Sequence, residues 1–323
     1  MSDSFLDNLT APGPRLPWLT RWLLEEVWSS DLYDKSSKTD FLHQGETQVN
    51  RYEGLISSSA SRVYDELISG PGPSKRLLNS LSDADTAVVV YDGLSLREVP
   101  IILNLAEKSG FSVSKVDSSL AAIPSETVDF IERELPCGRL APSQINGRKE
   151  LRGKGISVIY HGNYAQALSG EYEGSSLLLW SSFPDLTYKD SGAKFESHFE
   201  NIHLLFQTTW MNTVQQIRGK KKLIVTSDHG YIFLGTGMDF PRTPPQQKEL
   251  NDYFGNDRCA FLKDKPNPPQ SDDVFIDRVQ QVAMVKGRVK TRSTGDAASK
   301  LYKHGGLSLM EMVTPWIELG GEL

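Results

Sequence analysis

The chain has 323 residues, 38% hydrophobic and 24% charged, which is long enough to bury a sizeable core and lies outside the disordered and fibrous classes. Its formal net charge of −6 gives no global attraction to nucleic acid, so a DNA or RNA substrate would need a local basic patch or a metal ion to offset phosphate charge. Cys137 and Cys259 stand far apart in no CxxC pattern, which argues against a zinc finger and for a reduced, cytoplasmic setting; with no basic-then-apolar leader and no apolar run of about 20 residues, neither secretion nor membrane insertion is expected.

Residues 1–82 read as a helical N-terminal region. Leu19, Trp22, Leu23, Leu24 and Val27 fall at helical spacing, and Tyr52, Leu55, Ile56, Val63, Tyr64 and Leu67 continue the pattern over 49–69. Gly70-Pro71-Gly72-Pro73 breaks the chain before a short third helix at 74–81. The Trp-rich apolar face is expected to pack on the domain that follows; Trp18, Trp22 and Trp28 could instead form a surface for a protein partner.

The pattern changes in residues 83–323. Thr86–Tyr91 is an unbroken apolar run ending in Asp92-Gly93, as in a strand covered on both faces. A helix over 95–108 and a strand over 111–116 follow. Further strands are predicted at 156–160, ending in His161-Gly162, at 176–180, followed by Pro184-Asp185, and at 222–226, ending in Ser227-Asp228-His229-Gly230. A long helix, 195–218, precedes the last. This alternation predicts an α/β fold: a doubly wound, mostly parallel sheet flanked by helices. Ligands in such sheets bind beyond the carboxyl ends of the strands, and Asp92, His161, Asp185, Asp228 and His229 all fall there. Residues 235–299 are rich in Pro, Asp, Lys and Gln and read as an insertion or lid, with strands near 274–275 and 281–285. Its basic run, Lys286–Arg292, fits either a solvated hairpin edge or a phosphate-contacting loop.

Three segments carry the chemistry. Asp92, at a strand end, either caps the next helix or binds a cation. Asp228-His229 joins a hard oxygen to an imidazole, a donor set suited to zinc or manganese, and Gly230 permits a sharp turn behind it. His304-Gly305-Gly306-Leu307-Ser308 places a histidine in a constrained turn, with Ser308 and Glu311 at the N-cap and capping-box positions of the next helix.

In this order the three segments resemble the PglZ family of the alkaline-phosphatase superfamily, over residues 85–320. The resemblance implies an alkaline-phosphatase-like fold and a hydrolase using one or two divalent ions, Zn or Mn. Asp92, Asp228 and His229 would hold the first ion, and Asp185 and His304 the second. Ala122-Ile123-Pro124-Ser125-Glu126-Thr127 resembles the Pro-x-x-Thr turn of the superfamily's phosphodiesterases, which points to Thr127 as nucleophile, with Ser125 the second candidate. Read locally, Ser125 instead caps a helix beginning near Glu126. The sequence departs from the superfamily pattern at Lys189, where a metal-binding His is expected four residues after Asp185; ammonium is a poor ligand, and His161 is the best-placed substitute. Lys189 and Arg97 are candidate phosphate contacts. The resemblance further implies a phosphodiesterase or nuclease acting on nucleic acid or a nucleotide, in a prokaryotic phage-defence (BREX-type) or signalling system. The alternative is a catalytically impaired interaction subunit of such a system.

Overall fold

The computed structural model describes residues 7–8, 11–59, 62–70, 75–163, 166, 174–188, 195–217, 219–235, 237–292 and 302–321. Lys189 lies outside them, as do Pro71, Gly72 and Pro73 of the predicted chain break.

Six strands form the central sheet: β1 (Thr86–Tyr91), β2 (Ser112–Leu120), β3 (Ile156–His161), β4 (Ser176–Ser181), β5 (Lys222–Thr226) and, closing the chain, Val313–Gly320. Their order is β2, the C-terminal strand, β5, β1, β4, β3. β1 pairs in parallel with both β4 and β5, and β3 with β4. The C-terminal strand runs antiparallel to β5 and β2, so the sheet is mixed but mostly parallel. Sequence periodicity does not reveal this reversed strand, because its Thr-Pro-Trp-Ile-Glu order shows no clean alternation.

The run of β-branched residues in β1 is explained by its two buried faces. Ala87, Val89 and Tyr91 belong to one core; Val88 and Val90 belong to the other. Strand side chains alternate between faces, and β4 divides in the same way, with Leu177 and Leu179 on one side and Leu178 and Trp180 on the other. The first face is covered by the Val99–Lys108 and Phe195–Gln216 helices and by the N-terminal helices, which contribute Trp22, Trp28 and Phe41. The second is covered by the Arg76–Leu81 and Thr127–Glu134 helices, through Leu77, Leu81, Phe130 and Ile131. The N-terminal helices are thus one layer of the same core. Trp22 and Trp28 are buried and Trp18 packs against them, which withdraws the first two from any partner surface.

The Lys38–Ser59 helix carries a stripe of Leu42, Glu46, Val49, Glu53 and Ile56, all buried. The two carboxylates in that stripe are answered from other parts of the chain. Glu46 takes Arg97 Nε at 2.5 Å and Arg288 Nη2 at 2.6 Å. Glu53 accepts the Leu309 backbone N–H at 2.8 Å. The Glu46 charge persists because it is paired in this way, whereas burial pushes the Glu53 carboxyl, met by a backbone N–H, up to about 7.

The remaining strands are β6 (Ile232–Phe233), β7 (Cys259–Phe261), β8 (Val274–Asp277), β9 (Val282–Val285) and β10 (Tyr302–Lys303); the C-terminal strand is β11. The expected insertion contains the Pro244–Phe254 helix and a small antiparallel sheet ordered β7, β9, β8. Its basic run fits neither sequence expectation in full: Arg288 is buried on Glu46, and Lys290 pairs with Asp239 at 3.1 Å. Among the described residues no helix is long and apolar enough to cross a membrane.

Candidate metal centre

Asp92 follows β1 directly, Asp185 opens the short Asp185–Tyr188 helix after β4, and Asp228-His229 follow β5. β1 lies between β4 and β5, so three adjacent parallel strands deliver their terminal residues to one spot. The turns are tied together there. Asp185 N–H donates to the Asp92 carbonyl at 2.9 Å, Gly93 N–H to Asp228 Oδ1 at 3.1 Å, and Tyr188 hydroxyl to the Gly93 carbonyl at 2.9 Å. Gly93 sits at φ +72, and a Cβ there would come within 3.2 Å of both Asp185 and Tyr188, so the crossing favours glycine. Asp92 does not cap the next helix. Ser95 does so, in a reciprocal box with Glu98.

Two groups of ligand atoms assemble at this point. Asp92, Asp228 and His229 form one, and Asp185, His229 and His304 the other, with the atoms of each within 4.8 Å of one another. His229 is common to both, and its ring stacks on that of His304 with centroids 4.0 Å apart. His229 Nδ1 lies 2.9 Å from the Gly230 carbonyl. Donating there leaves Nε2 as the free lone pair, the arrangement seen when histidine ligates a metal. Nε2 faces Asp92 Oδ1 at 3.5 Å and Asp228 Oδ2 at 3.6 Å. Both His229 Nε2 and Asp92 Oδ1 are buried without a hydrogen bond.

The charges on these groups conflict in the same place. Burial and then the Asp228 carboxylate push Asp92 up to about 7. Burial disfavours a charged His229, but Asp228 and Asp92 outweigh it and hold its pKa well above the usual value. Two crowded carboxylates and an orphaned imidazole nitrogen are the donor set of a divalent cation, which would satisfy all three at once. The residues therefore fit a divalent metal ion.

Thr127 begins the Thr127–Glu134 helix and donates its hydroxyl to Asp228 Oδ2 at 2.6 Å. Ser125 is different. Its hydroxyl is fully buried, donates to the Gly306 carbonyl and accepts the Gly305 N–H, both at 2.9 Å. It does not cap the Thr127–Glu134 helix, whose N-cap is Glu126, and its hydroxyl is committed to the Gly305-Gly306 turn.

The other sequence candidates fall elsewhere. His161 ends β3, separated from β1 by β4, and its Nε2 meets the Gln166 carbonyl at 3.0 Å; it belongs to neither group among the described residues. Arg97 is enclosed, its Nε donating to Glu46 and its Nη1 to Ser95 and the Tyr231 carbonyl. The expected phosphate contact gives way to a core ion pair, because Glu46 from the N-terminal helices reaches it first. Ser308 caps the Leu309–Met312 helix as expected. The Glu311 carboxylate instead grips Arg258 of the insertion, at 2.7 and 3.1 Å, and accepts the Gly306 N–H at 2.9 Å. Glu126, whose Oε1 lies 3.5 Å from His304 Nδ1, carries no sequence signal beyond its place in the Pro-x-x-Thr turn. Arg258, in an irregular segment, gave none.

No family model matches the chain, and no curated protein matches it. Among solved structures, murine ectonucleotide pyrophosphatase/phosphodiesterase 5 is similar at 13% identity and a TM-score of 0.42, over 72% of this chain and 87% of that one. Phosphonoacetate hydrolase from Sinorhizobium meliloti 1021, in complex with phosphonoacetate, is similar at 13% identity and a TM-score of 0.37, over 72% and 89%.

Proposed function

We propose that this chain is a metal-dependent phosphodiesterase of the PglZ type, with Thr127 as its nucleophile. The observation that carries this reading is the Thr127 hydroxyl 2.6 Å from Asp228, at the edge of two adjoining groups of metal-ligand type. Asp92, Asp228 and His229 would hold the first ion, and Asp185 and His304 the second. Bound ions supply positive charge that stabilises phosphate oxygens and favours the deprotonated hydroxyl. The chain's part is geometric. The helix N-terminus fixes Thr127 Oγ1, Asp228 accepts its hydrogen bond, and β1, β4 and β5 keep the ligands in register.

The substrate class is a nucleic acid or nucleotide phosphodiester, in a cytoplasmic phage-defence or signalling setting. This rests on the ordered Asp92, Ser227–Gly230 and His304–Ser308 segments and their resemblance to PglZ. Burial in its ion pair takes Arg97 out of reach of a phosphate. A second reading, an impaired subunit that binds one ion and serves assembly, draws support from the second group, which among the described residues has two side chains of its own.

Hydrolysis of a generic aryl phosphodiester, with Mn²⁺ or Zn²⁺ added, tests the proposal. Turnover by wild type that disappears in Thr127→Ala and Asp228→Ala supports it. A wild type that binds a single ion and is inactive with every metal gives the site to the assembly reading.

A further inference from the structure

The turn before Thr127 and the glycine turn after His304 are far apart in sequence, yet one residue fastens them together. Ser125 makes three polar contacts with the His304 segment. Its hydroxyl donates to the Gly306 carbonyl and accepts from the Gly305 N–H, each at 2.9 Å. Its backbone carbonyl lies 3.2 Å from His304 Nδ1. When Nδ1 donates there, the tautomer is set and Nε2 is left to face Asp185 Oδ1, 3.9 Å away. The turn has no slack to take up if the clasp opens: a Cβ on Gly306 would lie 2.6 Å from Arg258 Nε and 2.7 Å from the Val285 carbonyl, and Gly305 sits at φ +94 against Glu126. Two residues on, Thr127 makes its bond to Asp228 of the first ligand group. The Ser125-Glu126-Thr127 tripeptide thus touches both groups, each through a different residue.

We propose that Ser125 is the positioning residue of the second metal site, holding His304 Nε2 toward Asp185 through its clasp on Gly305 and Gly306. The inference rests on the two-ion reading above. Ser125 acts on metal affinity through His304, while Thr127 acts on substrate.

Titration calorimetry of metal-stripped protein with Zn²⁺ or Mn²⁺, over wild type, Ser125→Ala, His304→Ala and the double variant, tests it. Wild type is expected to take up two ions in separable steps. Ser125→Ala is expected to keep the first step and weaken the second by about 10- to 100-fold, the usual cost of losing a residue that orients a ligand. In the His304→Ala background the serine change adds nothing, since its effect passes through that ring. Excess metal restores the activity of Ser125→Ala but not that of Thr127→Ala. Ser125→Cys, close in size, keeps the packing if the alanine variant fails to fold, and shows the same selective weakening on a smaller scale. Two unchanged steps in Ser125→Ala overturn the proposal, as does an equal loss from both steps. A wild type that binds one ion overturns the second-site assignment while leaving a metal centre in place; one that binds none overturns the metallohydrolase reading itself.

Discussion

The hydroxyl of Thr127 and the carboxylate of Asp228 are joined by a 2.6 Å hydrogen bond across 101 residues of sequence, linking the first turn of one helix to the end of a central strand. Asp228 Oδ2 also faces His229 Nε2. One carboxylate therefore serves both the proposed nucleophile and the proposed metal.

Thr127→Ala is expected to abolish phosphodiester hydrolysis, with a loss on the order of a thousandfold or more, as when one member of a cooperating nucleophilic site is removed. Metal uptake should persist, because the carboxylates and imidazoles of both groups remain. Thr127→Ser, which keeps the hydroxyl, should retain measurable turnover. Steady-state rates beside calorimetric stoichiometry check both halves; full activity in the alanine variant would exclude Thr127 as nucleophile.

Adding Zn²⁺ or Mn²⁺ to metal-stripped protein should raise its Tm. A ligand that binds only the folded chain stabilises it by about 2.7 kcal/mol at a concentration 100 times its Kd. The gain should shrink in His229→Ala, which loses the imidazole of the first ion's group. Melting curves with and without metal decide this, and an undiminished rise in Tm in His229→Ala would place the ion elsewhere.

Glu46 receives the buried Arg97 and Arg288 side chains. Glu46→Ala leaves two guanidinium groups without their carboxylate, and breaking a buried pair in this way costs roughly 3–5 kcal/mol. Denaturant midpoints should fall accordingly, and removal of residues 1–82 should leave a chain that does not fold, because Trp22, Trp28 and Phe41 belong to the core under the sheet. A cooperative unfolding transition in the truncated chain would refute this.

Burial raises Glu53 from 4.5 to about 7, and Glu98, also chiefly through burial, to about 7. The folded chain thus holds these protons more tightly than the unfolded one. Their contribution is fully present below the unfolded value and is lost as pH rises from about 4.5 through 7. Glu53→Gln keeps an acceptor for Leu309 N–H and cannot ionise, so its stability should decline less over that range. Denaturation midpoints from pH 5 to 8 measure the difference; parallel curves for the two proteins would count against a titrating Glu53.

Much of the sheet was legible because burial on both faces demands an apolar run through the middle of β1, β4 and β5, a pattern that needs no partner to be read. The N-terminal helices were legible from their 3.6-residue periodicity. Glu46 and Glu53 stood visibly inside that periodic stripe, but their partners, Arg97, Arg288 and the Leu309 N–H, lie 51, 242 and 256 residues away. No local rule connects residues at such separations. β11 escaped for a related reason: its place between β2 and β5 is decided by pairing with two distant strands.

By itself the sequence determined that Asp92, Asp185, Asp228 and His229 stand just past strand ends, because strand and turn propensities are local and a parallel sheet brings such ends to one edge. It also set glycines behind His229 and His304, where a side chain would collide with neighbouring atoms. Tertiary structure alone decided which candidates meet. It brought Thr127 to Asp228 and turned Ser125 toward the Gly305-Gly306 turn. It enclosed Arg97 with Glu46, and left His161 beyond β4. Those outcomes depend on strand order and on side chains arriving from distant segments, and both are fixed only when the whole core closes.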